Sequence, residues 1–169
     1  AALARGYHAV ASGKVDVAMV VGCEKMTELD TPYVVELIGR AGFFFWEFQH
    51  FGLTFPGYYA LHAAAYLNQY GATEEHLAMV AVKNHKYAAT NPYAQFRQEI
   101  TIEQALKSPY IAWPLKLFDC CPITDGSATV VLAAEEEAKK LTDTPVWIEA
   151  IEGCGGSANL SKRESFVGL

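Results

Sequence analysis

The sequence of 169 residues is poor in charged residues and lacks the long apolar run that a membrane span requires. Only 19% of its residues are Asp, Glu, Lys or Arg, whereas 51% are hydrophobic. We therefore expect an unusually large share of buried surface, either in the core or against a partner. No run of about 18 apolar residues occurs, and the richest stretch, 15–22, is interrupted by Asp16. The sequence predicts a folded protein that does not span a membrane.

Basic residues are also few. The formal net charge is −6, and no run of Lys and Arg marks a basic patch. Proteins that bind nucleic acids concentrate positive charge, so a nucleic-acid partner is not expected. The first ten residues lack the basic region and apolar segment of a secretory signal. A soluble, acidic, cytoplasmic enzyme with reduced thiols is the expected class.

The four cysteines form no CxxC pair and have no histidines at ligand spacing, so no metal site is predicted. The adjacent Cys120 and Cys121 suggest a catalytic role, but free cysteines are mostly small packing residues. We favour packing for them and for Cys23, whereas Cys154, between glycines, is a candidate for exposure. No catalytic residue is assigned within the sequence.

The two ends of the sequence have the pattern of an α/β protein. Residues 1–12 show helical spacing of apolar side chains, and 15–21 form a β-branched run typical of a buried strand in a parallel sheet. Near the other end we predict a strand at 127–134, a helix at 135–141 and a third strand at 146–151. Helices that alternate with buried strands favour an α/β fold.

A long excursion of mixed character separates these ends. Residues 27–55, with aromatic side chains at 43–48, are expected to form an irregular loop or lid. A helix is predicted at 57–70, with Gly71 as its C-terminal cap.

Two further helices are predicted by their caps. Thr73 is a candidate N-cap for a helix that the Asn91-Pro92 dipeptide ends. Its buried face is expected to contain Leu77, Val80, Ala81, Asn84 and Ala88. Thr101 and Gln104 have the spacing of a capping box for a short helix that Pro109 ends.

Two motifs lie in the first third of the sequence. Residues 2–28 contain a helix, a strand and a Gly-x-Glu-x-Met turn formed by Gly22, Glu24 and Met26. The second motif is His50-Phe51-Gly52.

Two more motifs follow in the second half. Residues 81–109 contain Lys-Asn-His and Asn-Pro-x-Ala-Gln-Phe, and residues 114–133 place Asp125-Gly126 ahead of an apolar run. In this order and spacing, the four motifs resemble the sterol-carrier-protein-type thiolases of the thiolase superfamily. Phe51 stands where the family motif has Met, and Asp125-Gly126 stands for the family's Asn-Asp-Gly.

The resemblance implies an α/β, thiolase-like fold in four parts. These are one helix and strand of the N-terminal half at 1–26, an inserted helical loop domain at 27–113, the return of the N-terminal half at 114–143, and the start of the C-terminal half at 144–169. The sequence has no initiator Met and begins within a predicted helix, and no terminal helix closes it. We therefore expect a central fragment of a longer protein.

The resemblance also implies the chemistry. A thiolase forms or cleaves 3-ketoacyl-CoA through a cysteine thioester and takes coenzyme A thioesters as substrates, without a metal. Its nucleophile would lie just before the first helix, and its histidine and second cysteine after residue 169, so the catalytic residues would lie outside this sequence. His50 and Phe51 are the candidate contacts for coenzyme A.

The remaining expectations concern Asp125, the assembly of the protein and two alternative functions. We expect Asp125 to accept backbone hydrogen bonds within its turn rather than act as a base. The resemblance implies lipid metabolism, a homodimer built around strand 15–21 or a tetramer, and a small acyl-CoA-binding protein as a further partner. The alternatives are a thiolase-fold aldolase and a non-catalytic subunit that binds coenzyme A or assembles.

Overall fold

The computed structural model describes residues 1–167, whose backbone forms six α-helices, four β-strands and three short helices of other types. In chain order, the α-helices and β-strands are α1 (Ala2–Ala11), β1 (Val17–Glu24), α2 (Thr31–Gly39), α3 (Phe55–Tyr70), α4 (Glu74–Ala89), α5 (Ile102–Lys107), β2 (Tyr110–Ala112), β3 (Leu115–Lys116), β4 (Gly126–Ala133) and α6 (Glu135–Leu141). The others are a π-helix at Phe44–His50 and 3₁₀-helices at Leu117–Asp119 and Leu160–Lys162.

These elements belong to two compact units. The first contains Ala1–Thr27 and Thr124–Gly155, and the second contains Glu28–Ile123 and the residues from Gly156 onward. The four-part division that the sequence suggested stays a prediction. No helix within residues 1–167 has the length and hydropathy needed to cross a membrane.

The sheet of the first unit pairs β1 with β4 in antiparallel register, from Val17 opposite Ala133 to Glu24 opposite Gly126. Helix α1 covers one face of this sheet. It lies close because Gly6 has no side chain: a Cβ there would be 2.6 Å from Val20 Cγ2 and 3.1 Å from Leu132 Cδ1.

The expectation of buried strands in a parallel sheet is wrong here. Side chains alternate between the two faces of a strand, and α1 covers only the face that holds Ala18 and Val20. On the opposite face Met19 is 70% exposed and Val131 is 60% exposed. An unbroken apolar run is typical of a strand covered on both faces, whereas these strands are covered on one.

In the later part of this unit, the predicted helix is present and the predicted third strand is absent. Helix α6 has the predicted bounds, with three glutamates in its first turn and two lysines in its last, as the helix dipole favours. Residues 146–151 form no strand. Val146 is 94% exposed, and the backbone of this segment has no ladder partner to define a strand.

The core of the second unit lies between α4 and α5. Its buried members are the small side chains Ala78, Ala81 and Ala105 together with Ile100. The capping box of α5 is confirmed: Gln104 N donates to Thr101 Oγ1 (3.1 Å), and Thr101 N donates to Gln104 Oε1 (2.8 Å).

Thr73 caps α4 as predicted, and Gly71 ends α3 with a left-handed φ of 65°. Helix α3 begins at Phe55, two residues earlier than predicted, with Thr54 as its N-cap. The predicted buried face of α4 is partly wrong, because Val80 and Asn84 are exposed. Ala81 is buried as predicted, and packing against α5 also buries Ala78, which the prediction omitted.

Residues 27–55 are more regular than the sequence suggested. Helix α2 begins after Asp30 with a proline in its first turn, and the π-helix follows it. Gly39 and Gly42 leave room for the Phe48 ring, since a Cβ at either position would lie within 2.7 Å of a ring carbon.

Candidate functional site

The predicted coenzyme A contacts lie at the C-terminal end of the π-helix. Extended π-helices are rare and occur frequently at functional sites. Phe48 anchors this one: its ring is buried (8% exposed) and stacks on Tyr58 of α3 with ring centres 6.0 Å apart. Because Phe48 points inward, Trp46 and His50 remain exposed.

His50, Phe51 and Trp46 form one exposed group, which we call the aromatic edge. The His50 ring centre lies 5.3 Å from that of Trp46, and the Phe51 ring centre lies 6.5 Å from it. Phe51 is 78% exposed and Trp46 is 53% exposed. Exposed aromatic rings can stack on a flat group of a ligand. The neighbouring imidazole can donate a hydrogen bond to the same ligand. The sequence predicted two of the three members and missed Trp46, although its spacing of four residues from His50 was visible.

Two of the four cysteines, Cys23 and Cys121, differ from the prediction, whereas Cys154 is exposed as expected. Cys120 is half-buried, whereas Cys23, Cys121 and Cys154 are exposed. The packing role is therefore wrong for Cys23, which lies at the poorly covered end of β1, and for Cys121. Burial and the neighbouring Asp119 raise the pKa of the Cys120 thiol, which lowers the thiolate fraction that a nucleophile needs.

Asp125 accepts backbone hydrogen bonds, as predicted, but from a distant segment rather than from its own turn. Its Oδ1 accepts from Met26 N (2.7 Å) and Thr27 N (2.9 Å), and its Oδ2 accepts from Thr27 Oγ1 (2.7 Å). These bonds hold the pKa of the carboxyl below its ordinary value. The turn that follows β1 is thereby fixed to the start of β4.

An ion pair in the second unit, between the buried Lys116 and the half-buried Glu74, was not foreseen. Lys116, only 8% exposed, places its Nζ 2.5 Å from Glu74 Oε2 and 2.7 Å from the Leu106 carbonyl. The Tyr110 hydroxyl donates to Glu74 Oε1 (2.7 Å). These donors lower the pKa of Glu74, and the same carboxylate raises the pKa of Lys116 and of Tyr110. A single lysine within the apolar stretch 114–118 was the available sequence signal.

A cleft of about 460 Å³ opens beside Phe48, in the same unit. Its walls include Phe55, Tyr58 and His62, and Arg163 contributes the positive charge. Arg163 lies in the short segment that follows Gly156. Because it is far from the other cleft residues in the sequence, the sequence analysis did not predict that they lie together.

No three His, Cys, Asp or Glu side chains within residues 1–167 are placed to share a metal ion.

Comparison with known proteins agrees with the four motifs. Residues 1–136 match the family described as the thiolase N-terminal domain. This chain belongs to the thiolase family. The predicted resemblance and the α/β thiolase-like fold are thus confirmed.

The chain is also similar to individual curated proteins. It is 44% identical over 166 residues to an acetyl-CoA acetyltransferase of Methanothermobacter thermautotrophicus, covering 98% of the chain and 43% of that protein. It is 40% identical over 75 residues to sterol carrier protein 2 of Oryctolagus cuniculus, covering 44% of the chain and 14% of that protein.

Among solved structures, it resembles the Ltp2-ChsH2(DUF35) aldolase with a TM-score of 0.68 and 33% identity. This match covers 81% of the chain and 35% of that structure. The chain therefore spans less than half the length of these relatives.

Proposed function

We propose that the protein containing these residues is an acyltransferase that forms or cleaves 3-ketoacyl-CoA through a cysteine thioester. The observation that carries the proposal is the 44% identity to an acetyl-CoA acetyltransferase across almost the whole chain. The group transferred would be an acetyl group, and the reaction would belong to lipid metabolism.

The reaction would proceed in two steps. A cysteine thiolate attacks the thioester carbonyl of acetyl-CoA, and the coenzyme A thiolate leaves. The α-carbon of a second acetyl-CoA, after losing a proton, then attacks the acyl-cysteine, and the enzyme thiolate is released. Burial raises the pKa of the Cys120 thiol, which disfavours that cysteine as the nucleophile. The nucleophile itself is proposed to lie outside residues 1–169, as the thiolase resemblance implies.

Within this chain, the aromatic edge would bind coenzyme A. His50 would donate a hydrogen bond to a carbonyl or phosphate oxygen, and the ring of Phe51 would pack against the apolar part of the ligand. Support comes from the exposure of both side chains and from their contacts with Trp46.

A homodimer around β1 is also proposed, with a tetramer as the larger assembly. The supporting observation is the uncovered apolar face of β1, where Met19 is 70% exposed and Val21 is 49% exposed. Isolated domains rarely leave such faces uncovered. A small acyl-CoA-binding protein is proposed as a further partner, since the structural relative is named as a pair with a DUF35 protein. The proposed location is the cytoplasm.

A retro-aldol reaction is the second candidate, favoured by the aldolase title of the structural relative. The two reactions differ in stoichiometry. Thiolysis of acetoacetyl-CoA consumes one coenzyme A and yields two acetyl-CoA, whereas aldol cleavage consumes none. Assay of the protein with acetoacetyl-CoA, with and without free coenzyme A, tests the proposal. Turnover that depends on coenzyme A supports it, and cleavage only of a 3-hydroxyacyl-CoA would support the aldolase.

A further inference from the structure

The cleft beside Phe48 carries the positive charge of Arg163, and no acidic side chain within residues 1–167 forms an ion pair with it. Arg163 makes three hydrogen bonds: Nε donates to the Ser157 carbonyl (2.8 Å), Nη1 to His62 Nε2 (3.1 Å) and Nη2 to Tyr58 Oη (3.0 Å). All three acceptors are neutral groups. Within residues 1–167, no carboxylate lies within 4.0 Å of this guanidinium, which is half-buried.

The hydrogen bonds also fix the state of His62. Its Nδ1 lies 2.9 Å from the Tyr58 carbonyl oxygen, which can only accept, so Nδ1 carries the proton. Its Nε2 faces a guanidinium N–H, which can only donate, so Nε2 is the unprotonated nitrogen. In this tautomer His62 accepts from Arg163, and Arg163 supplies the positive charge of the cleft.

Arg163 retains hydrogen-bonding capacity. A guanidinium has five N–H donors, and three of them bond to groups within residues 1–167, which leaves two without a partner in that part of the chain. A partly buried cation with free donors is stabilised by an anion that pairs with it. Arg163 holds the Ser157 segment against α3 with three of its donors, and its Cζ lies 5.9 Å from the centre of the Tyr58 ring, which offsets part of the charge. No anion among residues 1–167 pairs with it.

The walls define the rest of the ligand. Phe55, Tyr58 and Tyr59 of α3 and the Phe48 ring line the cleft, whose volume of about 460 Å³ suits a small organic molecule. A phosphate group carries more charge than one guanidinium balances, and these aromatic walls offer no second cation. A single carboxylate matches one guanidinium in charge and geometry.

We propose that the Arg163 cleft binds a carboxylate attached to an apolar body, such as an aromatic ring or a short alkyl chain. The carboxylate would accept from Arg163, and the body would pack against the aromatic walls. Two sources share this chemistry: a free organic acid, and an acyl thioester whose far end carries a carboxylate. The first source is independent of the proposed acyl transfer, and the second rests on it.

Equilibrium binding to the full protein tests the proposal, with 3-phenylpropionate as the probe and 3-phenylpropanamide as its neutral counterpart. The acid should bind about tenfold or more tightly than the amide, and Arg163→Met should remove this preference. Arg97→Met, which removes an exposed arginine outside the cleft, should leave it unchanged. Equal affinities for acid and amide, or an unaltered preference in Arg163→Met, would overturn the proposal.

Arg163→Met also breaks three hydrogen bonds, so a second variant guards against loss of folding. Ala41→Leu adds volume to the cleft wall without removing any Arg163 partner. It should weaken binding of both probes, and unchanged binding would contradict the assigned position. A comparison of adipyl-CoA with hexanoyl-CoA separates the sources. An Arg163-dependent preference for adipyl-CoA identifies an acyl group as the source, and its absence alongside acid binding identifies a free acid. Because probe binding needs no turnover, failure of the acyl transfer proposal would not affect the first result.

Discussion

Asp125 and Thr27, 98 residues apart in the sequence, are joined by two hydrogen bonds to one carboxylate. Thr27 Oγ1 donates to Oδ2 over 2.7 Å, and Thr27 N donates to Oδ1 over 2.9 Å. The next pair inward on this end of the sheet is Glu24 opposite Gly126, the last of the β1–β4 ladder. The carboxylate thus extends the antiparallel pairing beyond its backbone hydrogen bonds and fixes the turn that contains Met26.

The first prediction concerns this contact. Asp125→Ala should speed hydrogen exchange at the Met26 and Thr27 amides by about tenfold, because both lose their acceptor. Asp143→Asn, an exposed acid in the same unit, should not alter it. Unchanged exchange in Asp125→Ala would show that the carboxylate does not hold the turn.

The same carboxylate gives a pH dependence. Hydrogen bonds from Thr27 and Met26 place its pKa below the ordinary 3.8. The folded state therefore binds this proton less readily than the unfolded state does. Its stabilisation is fully present above about pH 3.8 and is lost as pH falls through the lowered pKa. Exchange protection at Met26 should fall in that range in the wild type, and Asp125→Asn should not show this step.

The second prediction tests the buried ion pair. Lys116→Met leaves the Glu74 carboxylate without its cation and should lower the melting temperature by about 5 °C. Lys107→Met removes an exposed pair with Glu103 on the surface of α5 and should change it by about 1 °C or less. Equal effects of the two substitutions would contradict the assigned burial.

This pair also predicts a pH dependence. Lys116 and Tyr110 donate to Glu74 and place its pKa below 4.5. The contribution of Glu74 to stability should therefore be complete above about pH 4.5 and decline as pH falls further. Lys116 has a pKa raised above 10.5, so its contribution is complete below that pH and is lost as pH rises through the raised value. Denaturant unfolding across pH should show a smaller loss of stability in acid for Glu74→Gln than for the wild type, because the Asp125 contribution remains in both.

The third prediction concerns the space filled by Phe48. A Cβ on Gly42 would lie 2.7 Å from Phe48 Cε2, so Gly42→Ala forces the buried ring to shift and should destabilise the protein by about 1–3 kcal/mol. Gly153→Ala meets no atom within 4 Å and serves as the control. In a Phe48→Leu background the cost of Gly42→Ala should shrink, because the clashing ring is gone. An undiminished cost would point to backbone conformation instead.

The fourth prediction tests the aromatic edge. His50→Ala and Phe51→Ala should each weaken coenzyme A binding by about tenfold in a calorimetric titration, because each removes a proposed contact. Tyr93→Ala removes a side chain that is 95% exposed and lies outside the aromatic edge. It should leave the affinity unaltered. An equal loss in all three variants would indicate general destabilisation rather than a site.

Local signals in the sequence predicted much of this structure. The capping box at Thr101, the left-handed Gly71 and the bounds of α6 depend on residues within one or two turns, and all are confirmed. The burial of β1 was predicted wrongly because burial depends on which elements cover each face of the sheet. A short sequence pattern does not contain that information. The third strand failed for a similar reason, since a strand needs a partner.

The residues of the candidate sites also differ in whether a local sequence pattern could predict them. His50 and Phe51 were found from a three-residue motif and stay a prediction as coenzyme A contacts. Trp46 was missed within the same helix. Arg163 contacts His62, which is 101 residues away in the sequence, and Lys116 contacts Glu74, which is 42 residues away. No local sequence pattern predicts either contact. Long-range electrostatic groups of this kind become visible only when the chain is folded.

The central claim, acyl transfer through a cysteine thioester, is tested most directly by mass spectrometry of the protein containing this chain after brief incubation with acetyl-CoA. We predict one added acetyl group per subunit, released by free coenzyme A, and mapped to a cysteine other than Cys23, Cys120, Cys121 and Cys154. An adduct on one of these four would contradict the assignment of the nucleophile. No adduct at all, in a protein that binds acetyl-CoA, would contradict the proposed activity itself.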